Sequence, residues 1–226
     1  MSAVVRRSPQ SSLRAPFAIE RFVIAGWTGR DRNAVEKHIR ELEEIGVQRP
    51  SATPIFYRVA ASRVTTAPVI EVIGDASSGE VEFCLYRSGT ELWVGVGSDH
   101  TDRDAEKINV TLSKQLCDKP IAPELWNFKD VCDQWDRLIL RSYIAENGER
   151  RLYQEGTVGT MLHPDELLRL FGGSDAIGDK SLMMCGTLAA KGGIRPSSRF
   201  EFELYDPVLQ RTISSGYDIR SLPDVK

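Results

Sequence analysis

The chain has 226 residues, 41% of them hydrophobic and 27% charged, with a formal net charge of −3 at pH 7. That length suits one domain, or one domain with a small appendage, and the slightly acidic balance lacks the basic face of a general nucleic-acid binder. The longest apolar runs, such as Leu182 to Cys185, fall far short of the roughly 20 residues that span a bilayer, so no membrane segment is read.

Residues 1–15 are rich in Ser, Arg and Pro and are expected to form a mobile arm. Residues 16–53 read as a strand-helix segment. Phe17 to Trp27 is strand-like, and a helix follows with Asn33 as N-cap, Glu36 completing a capping box, Val35, Ile39, Leu42 and Ile45 as its apolar stripe, and Gly46 as its stop. From residue 54 to 226 short strands dominate: Phe56–Ala60, Val69–Ile73, Val81–Tyr86, Leu92–Val96 and Ile108–Leu112, with turns at Ser77–Gly79 and Ser88–Gly89. A short helix is expected near Phe128–Trp135. Asn147-Gly148 then marks a two-residue hairpin between Leu138–Ala145 and Arg151–Gln154. A helix at Pro164–Phe171 precedes strands near Leu182–Cys185, Phe200–Tyr205 and Thr212–Ile219. The pattern is α+β and mainly β, with no internal repeat and no strand-helix alternation of the Rossmann kind.

The four cysteines, Cys84, Cys117, Cys132 and Cys185, are irregularly spaced without a C-x-x-C pair, and charges stand near the N-terminus where a signal peptide would be apolar. A cytoplasmic protein with small buried cysteines is the expectation.

The chemistry concentrates around Glu80 and Glu82, which project from one face of a strand, and Asp99, seventeen residues beyond Glu82. Two like charges so close repel, and a cation resolves the conflict. The same pair on its own equally suits a solvated strand face. Ser98, Asp99, His100, Thr101, Asp102, Arg103 and Asp104 resemble the N-D-x-S-x-R-D segment of the fumarylacetoacetate hydrolase superfamily, whose metal ligands are an E-x-E pair and that Asp. The resemblance continues in the family's order. Pro54 to Arg58 with Ser62 is similar to P-x-F-F-x-K-x-x-S, with Arg58 in place of Lys. Ser113, Lys114 and Gln115 through Pro123 resemble G-K-S-x-D-x-x-x-P-x-G-P. Gln154 to Thr157 with Pro164, Glu166 and Leu167 resembles Q-D-G-N-T and P-E-L, and Cys185, Gly186, Thr187, Gly192 and Gly193 resemble T-G-T-P-x-G-V.

The resemblance implies a mixed β-roll over residues 54–226, a homodimer, and Mg²⁺ or Mn²⁺ held by Glu80, Glu82 and Asp99, the hard cations that carboxylates suit. Asp102 and Asp104 compete with Asp99. It further implies Lys114 as a catalytic charge beside a small anionic substrate, and Arg58, Gly186 and Thr187 as substrate contacts. Hydrolytic members pair a His with a Glu to activate water; here His38 is the candidate, with Glu36 or Glu41 beside it, inside a longer helix than the family shows. His100 is open as a general base or as a support to the ligands. The expected activity is hydrolytic C–C cleavage of a small 2-oxo or 2,4-dioxo acid. A metal-dependent decarboxylase, tautomerase or hydratase is the alternative, and a non-enzymatic ligand-binding member the third.

Overall fold

The computed structural model describes residues 12–15, 17–44, 49–173 and 176–225, apart from the side chains of residues 38, 41 and 42. Its strands in the first half of the chain are β1 (Ser12–Arg14), β2 (Arg21–Gly26), β3 (Ile55–Val59), β4 (Val64–Thr65), β5 (Val69–Ile73), β6 (Ser77–Ser78), β7 (Val81–Ser88) and β8 (Glu91–Ser98). Then come β9 (Thr101–Asp102), β10 (Lys119–Pro120), β11 (Glu124–Asn127), β12 (Ile139–Glu146), β13 (Glu149–Thr157), β14 (Ser181–Met184), β15 (Arg199–Asp206) and β16 (Arg211–Leu222). The described α-helices are α1 (Arg32–Glu44), α2 (Arg103–Ile108), α3 (Val110–Leu116) and α4 (Pro164–Phe171).

A seven-stranded sheet runs β1-β11-β8-β7-β14-β2-β3 and a five-stranded one β13-β12-β15-β16-β5; the pairs β10-β4 and β6-β9 stand beside them. Both large sheets are mixed, because β14 pairs parallel with β2 and β16 parallel with β5. Alternation along β7 explains how they stack: Val81, Phe83 and Leu85 enter a core shared with Phe200, Phe202, Leu204, Ile213 and Tyr217 of the second sheet. Cys84 and Tyr86 point the other way, into a second cluster with Phe22, Ile24, Leu182 and Met184. Burial of β7 on both faces fixes its register, since a one-residue slip would exchange the two sets. The hairpin at Asn147 and Gly148 forms as expected, with φ of 53° and 79°, the left-handed pair that a two-residue turn demands.

Three expectations need correction. Ser12–Arg14 are not part of an arm: they pair antiparallel with β11, and Leu13 packs against the second cluster; residues 1–11 lie outside the described residues. Asp31, not Asn33, caps α1, its Oδ1 accepting from the N–H groups of Asn33 (2.9 Å) and Ala34 (3.2 Å); the expected stop at Gly46 lies outside the described residues. Ile108–Leu112 is not a strand. Asp102 caps α2, and Asn109, in extended conformation, ends it and caps α3 through Leu112 N–H at 2.9 Å. Two caps seven residues apart outweigh the β-branched Ile108 and Val110 on either side of Asn109.

All four cysteines are free, and Cys84, Cys117 and Cys185 are buried. Among the described residues no helix is long and apolar enough to cross a membrane.

Candidate metal centre and active site

One end of the seven-stranded sheet gathers the start of β7, the ends of β8, β14 and β2, and the start of β3. Glu80 and Glu82 flank Val81 at the start of β7, and Asp99 follows the end of β8, its N–H bonded to the Glu80 carbonyl at 3.0 Å. The antiparallel β7–β8 hairpin therefore brings residues 82 and 99 together directly, with no helix between them. One carboxylate oxygen from each of Glu80, Glu82 and Asp99 lies within 4.8 Å of the others. Glu82 and Asp99 are buried and Glu80 is half-buried.

Each carboxylate is also held from outside. The Glu82 Oε2 accepts the Gly186 N–H at 2.8 Å. Glu80 Oε1 lies 3.1 Å from Arg103 Nη2, and Arg103 reaches Ser78 Oγ at 2.8 Å and Glu106 at 2.9 Å. Asp99 carries two ammonium groups. Lys114 contacts Oδ2 from α3, and Lys119 lies 3.0 Å from Oδ1 while also donating to the His100 carbonyl.

Burial raises the Glu82 pKa well above the usual 4.5, and the Asp99 charge pushes it further in the same direction. Burial acts on Asp99 too, but the two lysines overcome it and hold that carboxyl below its ordinary value. Desolvation opposes the charge on Lys114, yet Asp99, Glu80 and Glu82 together raise its pKa and keep it protonated. Ionising Glu82 beside the charged Asp99 would set two like charges together, which is the conflict that keeps its proton on, and an all-oxygen set of three converging carboxylates fits a hard divalent cation that would resolve it.

The structure brings Glu80, Glu82, Asp99 and Lys114 into one cluster, with Gly186 bonded to it. Gly186 adopts φ +101°, and a Cβ there would stand 1.8 Å from Thr28 Oγ1. Other expectations part from the structure. Arg58 is exposed, because alternation along β3 turns Tyr57, not Arg58, toward the cluster: the Lys114 Nζ lies 5.7 Å from the Tyr57 ring centre. Thr187 spends its hydroxyl proton on the Val81 carbonyl at 2.9 Å and accepts from Gln154 at 2.9 Å, so it braces β7 and has no proton left for a substrate carboxylate. Asp102 is a helix cap, and Asp104 pairs with Lys107 at 2.8 Å. The side chain of His38 lies outside the described residues, as does that of Glu41, while Glu36 is bound by Arg49 and Arg40.

His100 is fully buried between Tyr217 (Nδ1 to OH, 2.9 Å) and Ser77 (Nε2 to Oγ, 2.9 Å). Burial, with Lys119 and Arg103 nearby, lowers its pKa to about 3 and keeps it neutral. The Tyr217 hydroxyl in turn meets Ser98 Oγ at 2.8 Å, and that oxygen accepts the Glu80 N–H at 3.3 Å. His100 thus supports the loop that carries the carboxylates.

Sequence reasoning missed Lys119, Arg103 and Tyr57. Lys119 had a visible signal, a lysine amid Cys117, Pro120, Ile121 and Ala122 where an apolar residue would be expected. Beyond Tyr57, whose ring polar group is bonded by the Trp27 side chain, a cavity of about 250 Å³ is lined by Trp27, Val35, Ile39, Pro54 and Leu162, with Arg32 and Glu36. Trp27 holds φ 58°, uncommon for a bulky residue and found at the strand end nearest the site.

The sequence matches the DUF2848 family, described as a protein of unknown function, over residues 25–217, from β2 into β16. The chain belongs to that family. Its structure is similar to that of a yeast protein, ynq8, described as a fumarylacetoacetate hydrolase family protein: identity is 19%, coverage 92% of this chain and 96% of that one, and the TM-score 0.64. Cg1458 is similar at 15% identity over 92% of this chain and 78% of its own, with TM-score 0.66. A 2-keto-3-deoxy-D-arabinonate dehydratase complexed with magnesium and 2,5-dioxopentanoate is similar at 14% identity, 92% and 75% coverage and TM-score 0.65. No curated protein matches the sequence. The mainly β architecture with mixed sheets is therefore the fumarylacetoacetate hydrolase-like fold that the motifs resemble.

Proposed function

We propose that this protein is a metal-dependent enzyme acting on a small 2-oxo acid, and the observation that carries the proposal is the convergence of Glu80, Glu82 and Asp99 within 4.8 Å beside the Lys114 ammonium. When bound, a magnesium or manganese ion supplies Lewis-acid polarisation of a 2-oxo group and charge to match the neighbouring carboxylate. Lys114 adds a fixed positive charge where negative charge develops on the substrate oxygen, an electrostatic contribution that costs no reorganisation because Asp99 already orients it. Tyr57 stands beside Lys114 and is hydrogen-bonded to Trp27, and the cavity that Trp27 lines with Val35, Ile39 and Leu162 suits the remainder of the substrate chain. The similar dehydratase, whose complex holds magnesium and a dioxo acid, supports this substrate class.

The geometry favours lyase chemistry of the dehydratase, decarboxylase or tautomerase kind. Both imidazoles whose side chains are described are engaged elsewhere: His100 in its buried pair with Tyr217 and Ser77, His163 as the cap of α4 beside Phe128 and Trp135. C–C hydrolysis, the activity expected from the motifs, is the second reading. It rests on His38 of α1, the helix whose Val35 and Ile39 line the cavity. A homodimer belongs to the same proposal, and exposed Ile108, Leu112 and Leu116 on α2 and α3 are an apolar face that a second copy could cover.

The test is a turnover panel of oxaloacetate, an acylpyruvate and a 3-deoxy-2-oxo sugar acid, each with Mg²⁺, with Mn²⁺ and with EDTA. Metal-dependent conversion of oxaloacetate or the sugar acid supports the lyase. Cleavage of the acylpyruvate that His38→Ala abolishes supports the hydrolase. Metal binding without turnover of any of them supports the non-enzymatic, ligand-binding reading.

A further inference from the structure

The cavity beyond Tyr57 differs in chemistry from the carboxylate cluster. Its inner wall is Ile39, Pro54 and Leu162, all buried, and Trp27 and Val35 form its half-buried sides. The two charged residues on its lining leave that wall apolar: Arg32 is exposed at the start of α1, and Glu36 is bound by Arg49 at 2.6 Å and by Arg40 at 3.3 Å. At about 250 Å³ the cavity exceeds the roughly 150 Å³ that lets an apolar cavity take up benzene. We infer that the substrate is a 2-oxo acid whose far end is a non-polar group of about aromatic-ring size, seated in this cavity. The inference rests on the 2-oxo acid reading proposed above and adds the chemistry of the tail.

Two chains of contacts tie the cavity to the cluster. On one side Lys114 Nζ lies 5.7 Å from the Tyr57 ring centre, and Tyr57 is hydrogen-bonded to Trp27 of the cavity wall. On the other, the Leu162 N–H donates to the Thr28 carbonyl at 2.8 Å, Thr28 Oγ1 donates to the Cys185 carbonyl at 2.9 Å, and the next residue, Gly186, donates to Glu82. Both chains start from one turn. Just past β2, Trp27 takes φ 58°, a conformation that a bulky residue keeps only where its surroundings hold it, and the turn gives Trp27 to Tyr57 and Thr28 to Gly186. A substrate held at the carboxylates thus meets Tyr57 and then the cavity, so a spacer of a few carbons separates its 2-oxo acid head from its non-polar end. The head is common to every 2-oxo acid, and burial of the far end is what distinguishes one from another. Burying a ring-sized apolar group is worth about 10- to 100-fold in affinity. A second carboxylate in the same place would leave water for an aliphatic wall whose side chains offer it no donor.

Isothermal titration calorimetry of the full chain in Mg²⁺ compares 2-oxobutanoate, 4-phenyl-2-oxobutanoate and 2-oxoadipate. The phenyl compound is expected to bind about 10- to 100-fold more tightly than 2-oxobutanoate, with the more negative heat-capacity change that marks apolar burial. Val35→Phe, which fills the cavity from α1, should cut the ratio of those two affinities by about tenfold. Val35→Thr, close to valine in shape but carrying a hydroxyl, should lower the same ratio to a smaller degree and serves if Val35→Phe does not fold. Equal affinities for the phenyl compound and 2-oxobutanoate, tighter binding of 2-oxoadipate than of the phenyl compound, or a ratio that neither variant changes would overturn the non-polar tail while leaving the 2-oxo acid reading in place. A folded wild type that binds none of the three acids would overturn that reading, and the tail with it.

Discussion

Gly186→Ala should be among the most damaging single-methyl additions in the chain. The residue sits at φ +101°, where a side chain is strained, at about 1–3 kcal/mol. The added Cβ would also stand 1.8 Å from Thr28 Oγ1 and 3.2 Å from Thr28 Cβ, so Thr28 must move. Moving it breaks the buried bond from Thr28 Oγ1 to the Cys185 carbonyl, 2.9 Å long, at a further cost of about 0.5–1.5 kcal/mol. Together these predict a loss of about 2–4 kcal/mol. Equilibrium unfolding in urea measures it as a shift of the midpoint at unchanged slope. The two sources separate in a second variant. Thr28→Ala in the Gly186→Ala background removes the offending oxygen but leaves the backbone strained, so the double change should cost less than the sum of the single ones. Because the Gly186 N–H orients Glu82, Mn²⁺ affinity should fall in the single variant as well. A midpoint shift worth less than about 1 kcal/mol, or strict additivity with Thr28→Ala, would refute the reasoning from close approach.

Glu82 links stability to pH with a definite sign. Its folded pKa lies above the ordinary 4.5, so as pH rises from 4.5 the native state holds a proton that the unfolded state has lost, and stability falls. In EDTA, Glu82→Gln should flatten that decline and melt above wild type at neutral pH; matching melting curves for the two proteins would contradict the buried, protonated carboxyl. The double change Glu80→Gln and Glu82→Gln should abolish any rise in melting temperature with Mn²⁺, because the ligands must be ionised to bind, and a retained shift would assign the ion elsewhere. Lys114→Met should cut turnover by at least about tenfold, the scale of one charge-assisted contact of roughly 1.5–3 kcal/mol; near-normal turnover would remove it from the chemistry.

Much of the β framework was legible because its signals are local. Strand alternation from Val81 to Tyr86, the Asn147-Gly148 turn and the Pro164 helix start each declare themselves within a few residues, and the structure has all three. The site was legible for a related reason: E-x-E places two carboxylates on one face whatever the partners, and a tight β7–β8 hairpin then leaves few places for residue 99. What could not be read is what depends on pairing between distant segments. Ser12–Arg14 look like arm until β11 offers them an edge, and nothing in Thr187 reveals that the Val81 carbonyl will claim its proton.

Residues 102–116 show how competing local signals were resolved. Ile108, Val110 and Leu112 alternate as a strand would, but in the structure Ile108 and Leu112 are exposed, so no sheet repays their extension. Asp102 and Asn109 satisfy the free N–H groups of α2 and α3 instead. This outcome is what turns Lys114 toward Asp99. On a strand, Lys114 would share a face with Leu112 and Leu116; on α3 it stands on the buried side with Ser113, while Leu112 and Leu116, four residues apart, share the exposed one. The charge placement at the candidate site thus follows from two capping side chains. Replacing Asn109 by Ala should therefore weaken the Lys114–Asp99 contact as well as the helix, lowering metal-free stability near neutral pH but flattening its decline below pH 3.8, because a less depressed Asp99 pKa leaves a smaller difference in bound protons between the folded and unfolded chain. Melting curves in EDTA from neutral pH to below 3.8 test this: the deficit of the variant relative to wild type should narrow as the pH falls, and a deficit that stays constant with pH would show that the caps do not govern the site.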